Sequence, residues 1–149
     1  MGQLQNQTSV TQPKIVQRST ATLPAGTATA YFTVTGRVLI TQIVGEVTTA
    51  VQNQTNNVKL ISNPTVGADV DLCAIVDTDD DAVGTLYSIT GTLADAMVAT
   101  TSGALVAQAN ALIVTAGTID FSCSATNTGA TKWTVHYIPL DNGSTVVVA

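Results

Sequence analysis

The chain has 149 residues, of which only 10% are charged and 4% are aromatic, and its net charge is −5. A soluble domain usually carries about 25% charged residues, so a surface this poor in charge suits packing against other protein. The five cations are scattered and form no basic cluster, which argues against nucleic-acid binding. The length predicts a single domain with a core of its own.

The sequence also predicts that the protein neither spans nor crosses a membrane. It contains no run of about 18 apolar residues, the length that a membrane-spanning helix requires. Its first residues lack the basic and apolar regions of a secretory signal. We therefore expect synthesis in the cytoplasm, where the thiols of Cys73 and Cys123 stay reduced. A disulfide between them is the alternative, and it requires their Cα atoms to lie within about 7 Å of each other.

Residues 1–20 are polar, rich in glutamine and without hydrophobic periodicity. Such a segment cannot bury enough apolar surface to offset the entropy of its own ordering. We interpret it as an extended N-terminal arm, with a frayed tail as the alternative, and residues 21–149 as the folded domain. The arm carries Lys14 and Arg18, two of the five cations, which makes them the predicted partner-binding residues.

The remainder is rich in valine, isoleucine and threonine, which favour strands. In the long apolar run 37–51, the period-2 pattern predicts that Leu39 and Ile43 share one buried face. Gly45 lies within this run and is interpreted as a bulge or a bend.

Two later segments show the clearest alternation of apolar and polar residues. We expect their apolar residues to be buried, namely Ile119, Phe121 and Cys123 in the first and Trp133, Val135 and Tyr137 in the second. Asn142-Gly143 is the strongest hairpin signal in the chain and predicts that 145–148 pairs with the strand ending near Ile138. About eight short strands with intervening turns predict an all-β, antiparallel β-sandwich or a jelly-roll-like barrel.

Candidate catalytic groups are few. His136 is the only histidine, and its strand phase points outward, whereas that of Cys123 points inward. A Cys-His or Ser-His-Asp site requires these groups side by side, so we expect no enzyme activity. The two cysteines and one histidine are also too few for a four-ligand zinc site, and we expect no cofactor.

The sharpest polar cluster is acidic, with Asp77, Asp79 and Asp81 in alternate positions. This spacing is similar to the start of an EF-hand calcium loop, but Ala82 takes the place of the required glycine and Ser88 that of the bidentate glutamate. The cluster is therefore only a weak calcium candidate. The alternative is a solvated acidic loop that blunts a sheet edge.

Several segments together resemble small structural proteins of tailed bacteriophages, and the resemblance covers most of the chain after the arm. They are residues 17–24, 37–49, 63–65, 71–73, 84–93, 116–120, 125–129, 132–133 and 137–141. Within that group, a small β-protein resembles a capsid decoration protein, also called a cement protein.

The resemblance implies a homotrimer that binds the major capsid protein on the virion surface and braces the assembled shell. It implies no site residue. The alternatives are a tail or head-fibre component and a carbohydrate-binding or adhesin-like β-domain. A hydrolase is the least favoured interpretation.

Overall fold

The computed structural model describes residues 12–149, which form twelve β-strands in two antiparallel sheets. The first sheet has the order β1-β11-β3-β7-β8, with β9 paired to β3 beyond the end of β7. Its strands are β1 (Lys14–Thr22), β3 (Val38–Thr49), β7 (Leu86–Ser88), β8 (Val98–Thr100), β9 (Leu112–Val114) and β11 (Ala130–Pro139).

The second sheet has the order β12-β2-β10-β4-β5, with β6 also paired to β4. Its strands are β2 (Ala28–Thr35), β4 (Asn57–Pro64), β5 (Val70–Asp71), β6 (Val76–Asp77), β10 (Gly117–Cys123) and β12 (Thr145–Val148). The inner faces of the two sheets pack on each other and form one continuous apolar core. This arrangement confirms the predicted all-β sandwich.

The predicted arm is wrong from Lys14 onward. Residues 14–22 form β1, which pairs antiparallel with β11 along most of its length. Short polar strands can be ordered in this way because a long neighbouring strand satisfies their backbone groups. The boundary between arm and domain at residue 20 therefore falls inside a strand. Residues 1–11 of the predicted arm lie outside the described residues.

The predicted core is correct at six of its seven large residues. Trp133, Val135, Tyr137, Phe121, Ile119 and Ile43 are all buried. The prediction is wrong for Leu39, which is only half-buried, whereas Val38 and Ile40 on either side of it are buried. The pairing of β3 with β11 shifts register at this point, where His136 faces Gln42 but Tyr137 faces Ile40. The extra residue, Thr41, is a β-bulge, and it reverses the faces of the residues before it.

Two turn predictions also change. Gly45 is not a bulge, because the register runs evenly through Glu46, Gly45 and Val44. Asn142-Gly143 does form a turn, with Gly143 at a φ of 81°. However, this turn crosses between the sheets, and β12 pairs with β2 in the second sheet instead of with β11. The motif therefore marked a turn correctly but not its strand partner.

Candidate functional site

A layer of aromatic rings runs through the core from one side of the sandwich to the other. In the first sheet, Trp133 faces Gly45, and Gly45 faces Tyr87 on the next strand. The ring centroids of Tyr87 and Trp133 are 6.2 Å apart. Phe121 and Tyr31 from the second sheet continue the layer, with centroid separations of 5.2 Å from Trp133 to Phe121 and 5.3 Å from Phe121 to Tyr31.

A charged residue lies at each end of this aromatic layer. At one end the Arg18 guanidinium carbon lies 4.3 Å from the centroid of the Tyr31 ring, within cation–π range. At the other end the Tyr87 hydroxyl donates a hydrogen bond to the Asp81 carboxylate. Arg18, a predicted partner-binding residue, therefore also packs on the core. Burial raises the pKa of Tyr31 to about 12.

Most cations of the protein are already paired. Three of them form ion pairs with N–O distances of 2.6, 2.7 and 2.9 Å, namely Arg37 with Asp141, Lys59 with Asp71 and Lys132 with Glu46. Within residues 12–149, Lys14 and Arg18 have no carboxylate within 4.0 Å. Both lie on β1, and both are half-buried. The two residues predicted to bind a partner are therefore the two cations left without a counter-ion in the described chain.

The acidic segment, residues 77–84, begins at the last residue of β6 and forms a loop that leads towards β7. The Asp77 carboxylate accepts hydrogen bonds from the backbone N–H groups of Asn56 and Asp79, at 2.9 and 3.1 Å. Asp81 accepts from Tyr87, and Asp80 has a positive φ of 57°. Two of the three calcium-candidate carboxylates therefore already accept hydrogen bonds from protein donors. No group of three or more metal-ligating side chains occurs among the residues that the structure describes.

The loop geometry leads to a prediction about metal removal. We expect the melting temperature to be unchanged when a chelator such as EDTA is added, because Asp77 and Asp81 already have protein partners. Differential scanning calorimetry of the same preparation with and without chelator measures this. A large drop in melting temperature with EDTA, reversed by added Ca²⁺, would contradict this prediction and support a calcium site in the loop.

Asp81 also leads to a pH prediction. Burial is the main cause that raises its pKa above the ordinary value of 3.8, with smaller contributions from its acidic neighbours, and the Tyr87 hydrogen bond opposes them. The folded state therefore binds more protons than the unfolded chain above that value. The contribution of Asp81 to stability therefore falls as the pH rises through this window.

Replacing Asp81 with asparagine removes the titration but keeps an oxygen that can accept from Tyr87. We expect the stability of Asp81→Asn, relative to the wild type, to increase as the pH rises from about 3 to about 6. Thermal unfolding of both proteins at each pH measures this difference. Because the Arg37–Asp141 pair, in which Arg37 lowers the pKa of Asp141, is present in both, its opposite slope cancels.

The structure separates the groups considered for catalysis. His136 lies half-buried on the outer face of the first sheet, while Cys123 is buried on the inner face of the second. Burial raises the pKa of the Cys123 thiol to about 11 and also raises that of Cys73. Both thiols therefore have little thiolate, the reactive form, at neutral pH.

Sequence reasoning missed an apolar surface on the outer face of the first sheet. In this face Leu39 lies between Ile138 and Ile113 on the neighbouring strands. Ile113 and the nearby Ile15 are each 65% exposed. A groove of about 250 Å³, lined by uncharged residues, opens beside Ile113 between β5 and β9. Four separate segments contribute to this surface, so no single stretch of sequence shows it.

The part of the chain described here contains no helix long and apolar enough to cross a membrane. Comparison of the chain with models of protein families, with curated proteins and with solved structures found no match.

Proposed function

We propose that this protein is a bacteriophage head decoration protein that binds the major capsid protein of the assembled shell as a homotrimer. The observation that carries the proposal is the partly apolar outer face of the first sheet. Its apolar residues Ile15, Leu39, Ile113 and Ile138 are partly or largely exposed. Lys132 and Glu46 on this face neutralise each other. A surface of this kind suits burial against another protein.

The aromatic residues favour a structural role over sugar binding. The chain has one tryptophan, three tyrosines and two phenylalanines, and all of them are buried. Sugar rings usually stack on exposed aromatic side chains, and this protein offers none for that purpose. This supports the decoration proposal over the carbohydrate-binding alternative. It does not separate a head protein from a tail protein.

Immunogold labelling separates the head and tail alternatives. Virions are purified from the phage or induced prophage whose genome encodes the chain, and are labelled with antibody against the purified protein. We expect gold particles distributed evenly over the head. Labelling confined to the tail or to fibres would replace the proposal with the tail alternative, and virions of a deletion strain provide the background control.

A surface variant tests whether the outer face of the first sheet contacts the shell. We expect Ile113→Glu to weaken binding to undecorated capsids by about tenfold or more, because a charge buried without a partner at an interface costs at least ~1.4 kcal/mol. Val147→Glu is the matched control, since Val147 is 49% exposed on β12 in the other sheet. Equal binding by both variants would place the contact elsewhere.

The predicted arm requires a narrower deletion than residues 2–20, because residues 14–20 belong to β1. Deleting residues 2–11 leaves all twelve strands in place. We expect the truncated protein to keep its β-sheet circular dichroism and to bind undecorated capsids more weakly. Unchanged capsid binding would show that residues 2–11 have no role in docking.

A further inference from the structure

We infer that copies of this chain bind one another head to tail, with the acidic loop (residues 77–84) of one copy against Lys14 and Arg18 on β1 of the next. This inference rests on the proposed homotrimer and names the surfaces that would form it. We identify the partner as a second copy of this chain because the two surfaces carry opposite charges.

The basic side of this contact consists of cations that have no carboxylate partner. Within the described chain, Lys14 and Arg18 are the cations without a carboxylate partner, and they lie in the same phase of β1, with Val16 between them. Arg18 packs over the ring of the buried Tyr31, which holds its guanidinium at the β1 edge of the sheet. A carboxylate approaching this edge would therefore meet a positioned cation.

The acidic side presents carboxylates in a fixed position. The Asp79 and Asp80 side chains are exposed and make no hydrogen bond within the structure as described. The backbone that carries them is held to the segment just after β3 by hydrogen bonds from Val51 N to Asp81 O, at 2.9 Å, and from Asp80 N to Gln52 O, at 3.4 Å. Little backbone entropy is therefore lost when these carboxylates meet a cation.

The two surfaces cannot meet within one copy. The loop lies beside β3 on the side away from β11, whereas β1 lies beyond β11 on the other side. Three strand spacings of about 4.8 Å separate them across the sheet. Lys14 is also displaced along the strands, because it is in the register row of Ile40, whereas the loop lies near Val47 and Val51. Arg18 is in the row of Gly45 and is separated from the loop by the width of the sheet.

Complementary surfaces on opposite edges of a subunit produce a heterologous contact. Such contacts form a closed ring when the rotation between neighbours closes, as it does after three copies in a trimer. Each copy would then use its loop once and its basic edge once. Three identical contacts between half-buried cations and exposed carboxylates at the protein surface are individually weak, and the ring makes them cooperative.

Charge reversal tests the contact in the absence of capsid. We expect Lys14→Glu and Asp79→Lys each to weaken self-association by about tenfold at low salt, because each places like charges opposite one another. Combining both changes in one chain restores opposite charges across the contact and should restore association. Sedimentation velocity of the full chain over a range of concentrations measures the effect. Arg18 is left unchanged because it packs on Tyr31.

Asp69→Lys is the matched control, since it makes the same change in net charge at an exposed acid outside the loop and should leave association unchanged. Wild-type association should weaken as NaCl is raised from about 50 to 500 mM, because salt screens exposed charges. Failure of the double variant to regain association would overturn the inference, and so would a wild-type protein that is monomeric at tens of micromolar. If the variants still self-associate but lose capsid binding, the complement is the shell protein and not a second copy. Head labelling of virions tests the decoration function separately from all these outcomes.

Discussion

Replacing Phe121 with alanine is expected to lower the free energy of unfolding by about 3–5 kcal/mol, the range for a phenylalanine removed from a closed core. Its side chain is fully buried between Tyr31 and Trp133, at centroid distances of 5.3 and 5.2 Å. It also joins the two sheets, because it comes from β10 whereas Trp133 comes from β11. Its loss leaves a cavity whose walls are held by both sheets and cannot readily collapse.

Urea unfolding followed by the fluorescence of Trp133 measures this change. Phe121→Leu is the matched variant, since it keeps most of the apolar volume and should cost clearly less than the alanine variant. Val147→Ala, at a half-exposed position of β12, controls for loss of apolar side chain outside the core. A loss below about 1 kcal/mol in Phe121→Ala would contradict the packing described for the aromatic layer.

The strands that could be predicted from sequence are those whose evidence is local. Apolar and polar residues alternate from Ile119 to Cys123 in β10 and from Lys132 to Tyr137 in β11, and the inward positions of Phe121 and Trp133 follow directly from that period. Burial of one face of a strand is enough to impose this pattern. The two-layer fold follows because such faces must pack against each other.

Features set by pairing partners could not be predicted. The bulge at Thr41 exists because of how β3 and β11 align, and nothing in the run 37–51 marks it. Likewise, the sequence of Asn142-Gly143 specifies a tight turn, but the choice of β2 as the partner of β12 depends on the other sheet. The short strands β5 to β9 each have two or three residues, too few to show a period.

The candidate site could likewise be predicted only in part from the sequence. The unusual density of acids at 77–81 and the cations Lys14 and Arg18 were visible as charges. Their environment was not, since Arg18 packs on Tyr31 and Asp81 accepts from Tyr87 only after three or more strands have come together. The sequence of β1 gives no usable alternation, because its half-buried positions include the charged Lys14 and Arg18 whereas Ile15 is exposed.

Gly45 has a packing reason that differs from the bulge predicted for it. It faces inward on β3 directly opposite Trp133, and a Cβ atom built on it would lie 2.7 Å from the indole ring. No positive φ is involved, so backbone strain does not explain the glycine. The ring of Trp133 occupies the space that a side chain would need, which is the close approach that glycine permits within a strand.

We therefore expect Gly45→Ala to lower the free energy of unfolding by about 1–3 kcal/mol, the usual cost of overpacking a core. Backbone entropy alone predicts the opposite sign, since alanine is favoured over glycine inside a strand by roughly 0.5–1 kcal/mol. Urea unfolding of Gly45→Ala distinguishes the two. A gain in stability would show that the indole has room to move away.

A double-mutant cycle assigns the cost to the indole itself. Trp133→Phe removes the part of the ring nearest to Gly45, namely the atoms Cε2, Cζ2 and Cη2 that lie within 2.8 Å of the added Cβ. In that background, Gly45→Ala should cost much less than in the wild type, with a coupling energy of about 1 kcal/mol or more. Independent, additive effects of the two substitutions would mean that Gly45 is required for a reason other than the position of Trp133. In that case the packing of the aromatic layer would not depend on a glycine at this position of β3.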